Sequence, residues 1–219
     1  TLAIIVGLEV ALAPVAGATS SLLAAFSTLE TAIEGATRAR NAGATACELL
    51  DRTFLEMAAS AIAATAPGAP PVPPGTEAVL LAEVEGDGRE AASRAASELG
   101  RAFTDAGASL VTLALDLPSE TALWELRHAV SPMLSRLDPA LRSMQFIEDA
   151  AVPPEHLPEY VRRVRHALAA RGISGVIFGH AGDSHVHVNP LVDTSRPDWR
   201  ADVEAILDEI TDAVAQLGG

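Results

Sequence analysis

The sequence predicts an α+β fold made of two antiparallel-sheet subdomains, each with its helices on one face. Three observations predict it. Strand-like apolar runs and amphipathic helical stretches follow one another in an order that repeats along the chain. Apolar residues make up 49% of the sequence, yet alanine dominates them and aromatic residues reach only 4%, a composition suited to helices packed closely on a sheet. The 219 residues are enough for one large domain or two small ones with a sizeable core.

The elements read as follows. Residues 1–12 form a strand leading in, ended before Pro14, and 20–26 form a second. Ser27 starts a helix, with Glu30 three positions on to complete a capping box; Leu29, Ile33 and Ala36 mark its inner side and Gly43 ends it. Residues 44–50 form a strand, and Asp51 caps a further helix to about residue 64. The five prolines of 67–75 make that stretch a loop. A strand over 77–85, a turn at Gly86-Asp87-Gly88, an alanine-rich helix over 89–106 and a strand over 109–115 come next.

Ser119 begins a helix that turns Leu123, Trp124, Leu126 and Val130 inward, with a kink at Pro132. Residues 143–152 read as a strand and 154–171 as a helix striped by Leu157, Val161, Val164 and Leu168. A hairpin over 175–181 and 185–192 precedes the last helix, capped by Ser195, with Val203, Ile206, Leu207, Ile210, Val214 and Leu217 as its apolar stripe. From residue 20 the order is β-α-β-(α)-β-α-β; from 143 it is β-α-β-β-α. That is one complete ferredoxin-like unit and a second lacking its last strand. The expected boundaries are 1–118 for the first subdomain, with its lead-in strand and a proline-rich loop at 66–75, then 119–142 for a connecting helix and 143–219 for the truncated second subdomain.

Composition excludes several functions. The formal net charge is −14, and all fifteen basic residues are arginine. So acidic a surface argues against nucleic acid or an anionic membrane as partner. No apolar run has transmembrane length, and no membrane insertion is expected. Cys47 is the single cysteine, which rules out an intrachain disulfide and fits a buried thiol in a reducing, cytoplasmic setting. There is no glycine-rich phosphate loop ahead of a helix, no nucleophile elbow and no paired-cysteine metal site. The chain opens directly on a strand-like run without an initiator Met and stops right after a helix, so both ends read as cut from something longer.

The chemistry concentrates in Gly179-His-Ala-Gly-Asp-Ser-His-Val-His-Val-Asn-Pro190, which holds three of the six histidines within eight residues. His185 and His187 are two apart, a spacing that puts both rings on one face of a strand, and His180 lies across a tight turn from them. Gly182 is expected to supply the unusual backbone angles of that turn and Asp183 to favour it. Imidazoles and a carboxylate converging on one spot suit a divalent metal, with His180 and His187 as ligands and His185 and Asp183 as further candidates. Asn189 faces the same way as His185 and His187, placed either to hold a substrate hydroxyl or carboxylate or to shape the strand end before Pro190. Arg127 has no acidic residue three or four positions away on its helix. It reads as a solvated or tertiary-paired arginine, or as one free to grip a carboxylate through two hydrogen bonds.

The histidine stretch resembles the Gly-His-x-Gly-Asp-Gly-Asn-x-His-x-Asn signature of FAD-linked oxidases, the D-lactate dehydrogenase, glycolate oxidase and D-2-hydroxyglutarate dehydrogenase relatives, in their C-terminal, substrate-side domain. Thr1-Leu-Ala-Ile-Ile5, Asp51-Arg-Thr53, Leu123-Trp-Glu-Leu-Arg127 and Glu148-Asp-Ala-Ala-Val-Pro153 extend the likeness over nearly the whole chain. The resemblance implies that His180 and His187 are ligands of a divalent metal, zinc in many members. It implies that Arg127 and Ser131 hold the substrate carboxylate and that Asn189 lines the active site. FAD would be bound by a domain outside this chain, and the partner would be a small 2-hydroxy acid anion. Ser184 and His185 depart from the signature, and Ile147 stands where many members have a substrate-binding lysine. The segment Ser143-Met-Gln-Phe-Ile-Glu-Asp149 and the extra His185 instead look like a subgroup in which an FAD half is fused to an iron–sulfur half, so a 4Fe-4S cluster is possible elsewhere in the parent protein. The parent would be cytoplasmic, or peripheral to a membrane through its electron acceptor. The expected function is a substrate-domain fragment of an FAD-dependent D-2-hydroxy-acid dehydrogenase, inactive alone and with the family's remaining ligand after Gly219. The alternative is a self-sufficient metal-binding or interaction module.

Overall fold

A computed structural model describes residues 4–12, 14–57, 71–128, 134, 140–148 and 150–219. Seven strands form one antiparallel sheet: β1 Ala18–Phe26, β2 Ala46–Asp51, β3 Ala78–Gly86, β4 Leu110–Ala114, β5 Leu141–Ser143, β6 Ser174–Gly179 and β7 His187–Asp193. Their order across the sheet is β4-β1-β3-β2-β6-β7-β5. The first four strands follow the 4-1-3-2 order of a ferredoxin-like unit. The last three carry the matching partial order, so the two runs of the sequence meet edge to edge in one sheet. Their junction is short: β2 and β6 pair only through Leu49 with Gly179 and Leu50 with Phe178.

The helices are α1 Leu29–Asn41, α2 Arg89–Asp105, α3 Leu117–His128, α4 Leu157–Ala169 and α5 Trp199–Gln216, with a helical run also over 52–57. Four of them cover one face. Alternation decides which residues meet them: Leu22, Ala24, Phe26, Leu49, Leu80, Ile177 and Val188 point into a core shared with Ile33, Phe103, Tyr160, Val164 and Ile210 of α1, α2, α4 and α5. The residues between them, Leu23, Ala25, Leu50, Val79, Leu81, Val176 and Phe178, face the other way and pack on Leu123 and Leu126 of α3 and on Phe54. The expectation of helices on one face therefore holds for α1, α2, α4 and α5, while α3 lies on the opposite face. The sheet is buried on both sides beneath it, which is why β1 and β3 read as continuous apolar runs rather than alternating ones.

Several boundaries move for local reasons. Residues 4–12 form no strand and leave Ile5, Val6, Leu8 and Leu12 exposed. α1 is capped one residue later than expected, by Thr28, whose hydroxyl accepts from Thr31 N at 3.2 Å. Asp51 does cap the run that follows it, accepting from Phe54 N at 3.0 Å. The strand expected over 143–152 shrinks to Leu141–Ser143, followed by an irregular path with one bridge between Ala151 and His185. Ser195 does not cap α5, because its hydroxyl is turned back to Asp193 at 2.6 Å and the helix starts at Trp199. Leu207, placed in the apolar stripe, is 40% exposed. The Pro132 kink lies outside the described residues.

Candidate active site

The functional stretch falls at the β2–β6 junction, on the face covered by α3. β6 ends at Gly179, a one-turn 3-10 helix spans Ala181–Asp183, and β7 begins at His187. Gly179 has φ +125, and a Cβ there would sit 2.8 Å from His187 Cδ2 and 3.2 Å from His187 N. Glycine is thus required twice over, for the backbone angle and to make room for the ring. Gly182 was expected to supply unusual angles. The left-handed residue is instead Ser184, at φ +59, where the related signature has glycine. Gly182 matters for packing, since a Cβ on it would lie 3.0 Å from the Cβ of Cys47. Burial drives the Cys47 thiol pKa far up and keeps it neutral.

The turn gathers the three imidazoles. Ring centroids are 5.4 Å apart for His180 and His187, 4.9 Å for His185 and His187, and 5.9 Å for His180 and His185. His187 also lies against Phe178, its cross-strand neighbour, at 5.2 Å. A cleft of about 440 Å³ opens beside them, lined by Arg127, Leu134, Ser143, Gln145, Glu148, Phe178, His187 and Asn189. It contains three residues singled out from the sequence, Arg127, His187 and Asn189. Asn189 is buried, and its Oδ1 has no hydrogen-bond partner among the described residues. Such a group is costly to bury unsatisfied and is suited to a ligand's donor. His187 Nδ1 lies 3.7 Å from Glu148 Oε1. Ser131 lies outside the described residues, and Ile147 is buried in the main core.

The residue that sequence reasoning missed is Glu48. Its Oε2 accepts from Arg127 Nε at 2.6 Å, and its Oε1 is 2.5 Å from His180 Nδ1. Arg127 is therefore tertiary-paired, and its guanidinium also stacks 5.2 Å over the Phe178 ring. A signal did exist: Glu48 interrupts the apolar run Ala46–Asp51 at a position whose neighbours on the same face are apolar.

The donors do not by themselves make a metal centre. Among the described residues no group of three or more His, Cys, Asp or Glu side chains is arranged to hold a metal ion. Asp183 is exposed on its turn, and His180 Nδ1 is already engaged by Glu48. Within the described residues the donor set is incomplete for a divalent ion, and no chemical step is assigned to one.

This fold and site place the chain in a known class. Residues 16–219 match the family described as FAD linked oxidases, C-terminal domain, and the chain belongs to that family. Among curated proteins it is similar to D-2-hydroxyglutarate dehydrogenase from Pantoea ananatis, 32% identical over 48% of this chain and 10% of that protein. It is also similar to glycolate oxidase subunit GlcD from Bacillus subtilis, 30% identical over 68% of this chain and 30% of that subunit. The chain thus spans a tenth to a third of the relatives it matches. Among solved structures, 4-ethylphenol oxidase from Gulosibacter chungangensis superposes with a TM-score of 0.66 at 16% identity, over 94% of this chain and 45% of that one. Substrate-bound p-cresol methylhydroxylase gives 0.56 at 12% identity, over 91% of this chain and 44% of that one. These likenesses share the fold. No described helix is long and apolar enough to cross a membrane.

Proposed function

We propose that this chain is the substrate-side domain of a flavin-dependent dehydrogenase or oxidase acting on a small D-2-hydroxy acid. The observation that carries the reading is one cleft lined by the Arg127 guanidinium, the buried Asn189 carboxamide and the His187 imidazole, groups suited to an α-hydroxy carboxylate. Arg127 grips the carboxylate. An imidazole of the His180–His187 pair accepts from the C2 hydroxyl and takes its single proton, and Asn189 lines the cleft wall beside C2. A flavin held by another domain would supply the acceptor for the C2 hydride. A divalent metal at His180 and His187 needs a further ligand from outside the described residues. The division at 1–118, 119–142 and 143–219 belongs to the same reading, with Ser131 as a second carboxylate contact. The small share of the D-2-hydroxyglutarate dehydrogenase relative that aligns supports a long parent protein; an iron–sulfur part, and a cytoplasmic or membrane-docked setting through its acceptor, belong to the same proposal.

The test is anaerobic mixing of the flavoprotein that carries this domain with D-lactate, glycolate and D-2-hydroxyglutarate. Flavin bleaching by at least one, faster for the D than the L form where the acid is chiral, is expected. No bleaching by any 2-hydroxy acid would overturn the reading.

A further inference from the structure

We infer that Glu48 is the positioning residue of this site: one buried carboxylate fixes the ring of His180 with one oxygen and the guanidinium of Arg127 with the other. Its meaning rests on the proposed reading of the cleft; its test does not.

The sheet register places it. Leu49 pairs with Gly179 and Leu50 with Phe178, so the antiparallel ladder brings Glu48 opposite His180 across the β2–β6 junction. Alternation turns Glu48 to the face that carries Leu50, Leu81 and Phe178. A carboxylate with a side chain only 9% exposed on such a face is expensive unless both oxygens are satisfied, and both are. The two residues it holds come from unlike elements, the end of β6 and the last turn of α3, and nothing in either element alone would bring them together.

The bonds constrain both partners. An ionised carboxylate only accepts, so Nδ1 of His180 carries the proton and, in the neutral ring, Nε2 keeps its lone pair. The His180 side chain is 45% exposed, and an imidazole that open would otherwise sample several rotamers and both tautomers. For Arg127, the bond through Nε and the Phe178 ring beneath fix the plane of the guanidinium. An incoming carboxylate must then be met by the Nη edge. Glu48 thus sets the direction from which Arg127 takes an anion and the nitrogen that His180 offers to it.

The experiment is long-range proton–nitrogen NMR of the histidine rings and arginine Nε groups in the 219-residue chain. In the wild-type chain the His180 ring is expected as the Nδ1–H tautomer and the Arg127 Nε–H as slowly exchanging. Glu48→Gln, which keeps the shape and loses the charge, is expected to populate both tautomers and to speed exchange of that Nε–H by about tenfold or more. A wild-type ring mainly in the Nε2–H form, or a folded Glu48→Gln chain with both signatures unchanged, overturns the inference. If Glu48→Gln does not fold, the wild-type tautomer alone decides. Neither signal involves a substrate. A chain with both signatures in a flavoprotein that no D-2-hydroxy acid reduces keeps the role of Glu48 and loses the reading of the cleft.

Discussion

Arg127 and Glu48, 79 positions apart, meet through an Nε–Oε2 hydrogen bond of 2.6 Å, with the Arg127 side chain 20% exposed. The pair bolts α3 to β2, and Arg127 lines the cleft. Breaking it on one side leaves the other charge with little solvent, so Arg127→Leu is expected to destabilise the chain by about 2–4 kcal/mol. Glu48→Leu combined with Arg127→Leu should cost less than the two single changes added together. Urea unfolding of the three variants checks this, and additivity would mean that the pair is energetically idle.

Replacing Arg127 by Lys keeps a charge but loses the planar fork and the Nε donor. In the flavoprotein carrying this domain we expect KM for the 2-hydroxy acid to rise by about tenfold or more. Steady-state kinetics at saturating acceptor measures it.

Gly179→Ala adds a Cβ that meets His187 at 2.8 Å, at φ +125. The expected cost is about 1–3 kcal/mol, together with a displaced His187 ring. Thermal unfolding reports the first and the His187 ring shifts report the second. An unperturbed ring would contradict the tight packing described.

Asp51 is buried, and its pKa is raised to about 7, first by burial and against the pull of the Phe54 N–H and the Arg165 guanidinium. Because the folded value lies above the ordinary one, the folded state binds the extra proton. The stability this lends is full below the ordinary carboxylate value and is lost as pH rises from there through about 7. Asp51→Asn keeps an acceptor for Phe54 and removes the titration. The stability of the wild-type chain minus that of the variant should fall by about 3 kcal/mol between pH 4 and pH 7. A flat difference in urea unfolding across that range would refute it.

Thr28→Ala removes the cap that accepts from Thr31 N. A loss of about 1 kcal/mol in urea unfolding is expected. Ser27→Ala should be near neutral, because Thr28 and not Ser27 occupies the capping position.

The sequence by itself determined the kinds of elements, their order and the stretch that carries the chemistry. Periodicity is local: Leu157, Val161, Val164 and Leu168 mark the buried side of α4 whatever surrounds it, and the spacing of His187 and Asn189 sets both to one face of a strand. Only the tertiary structure decided what those faces meet. The lead-in segment is as apolar as β1, but residues 4–12 find no partner strand within this fold and form none. α3 crosses to the far face of the sheet, which no property of its own sequence specifies. Glu48, Arg127 and His180 come together only because a two-residue register joins β2 to β6 beneath α3. A helix or strand pattern is written in neighbours a few residues apart, whereas a bridging carboxylate depends on strand pairing across more than a hundred residues, and that pairing is fixed by burial of the whole sheet.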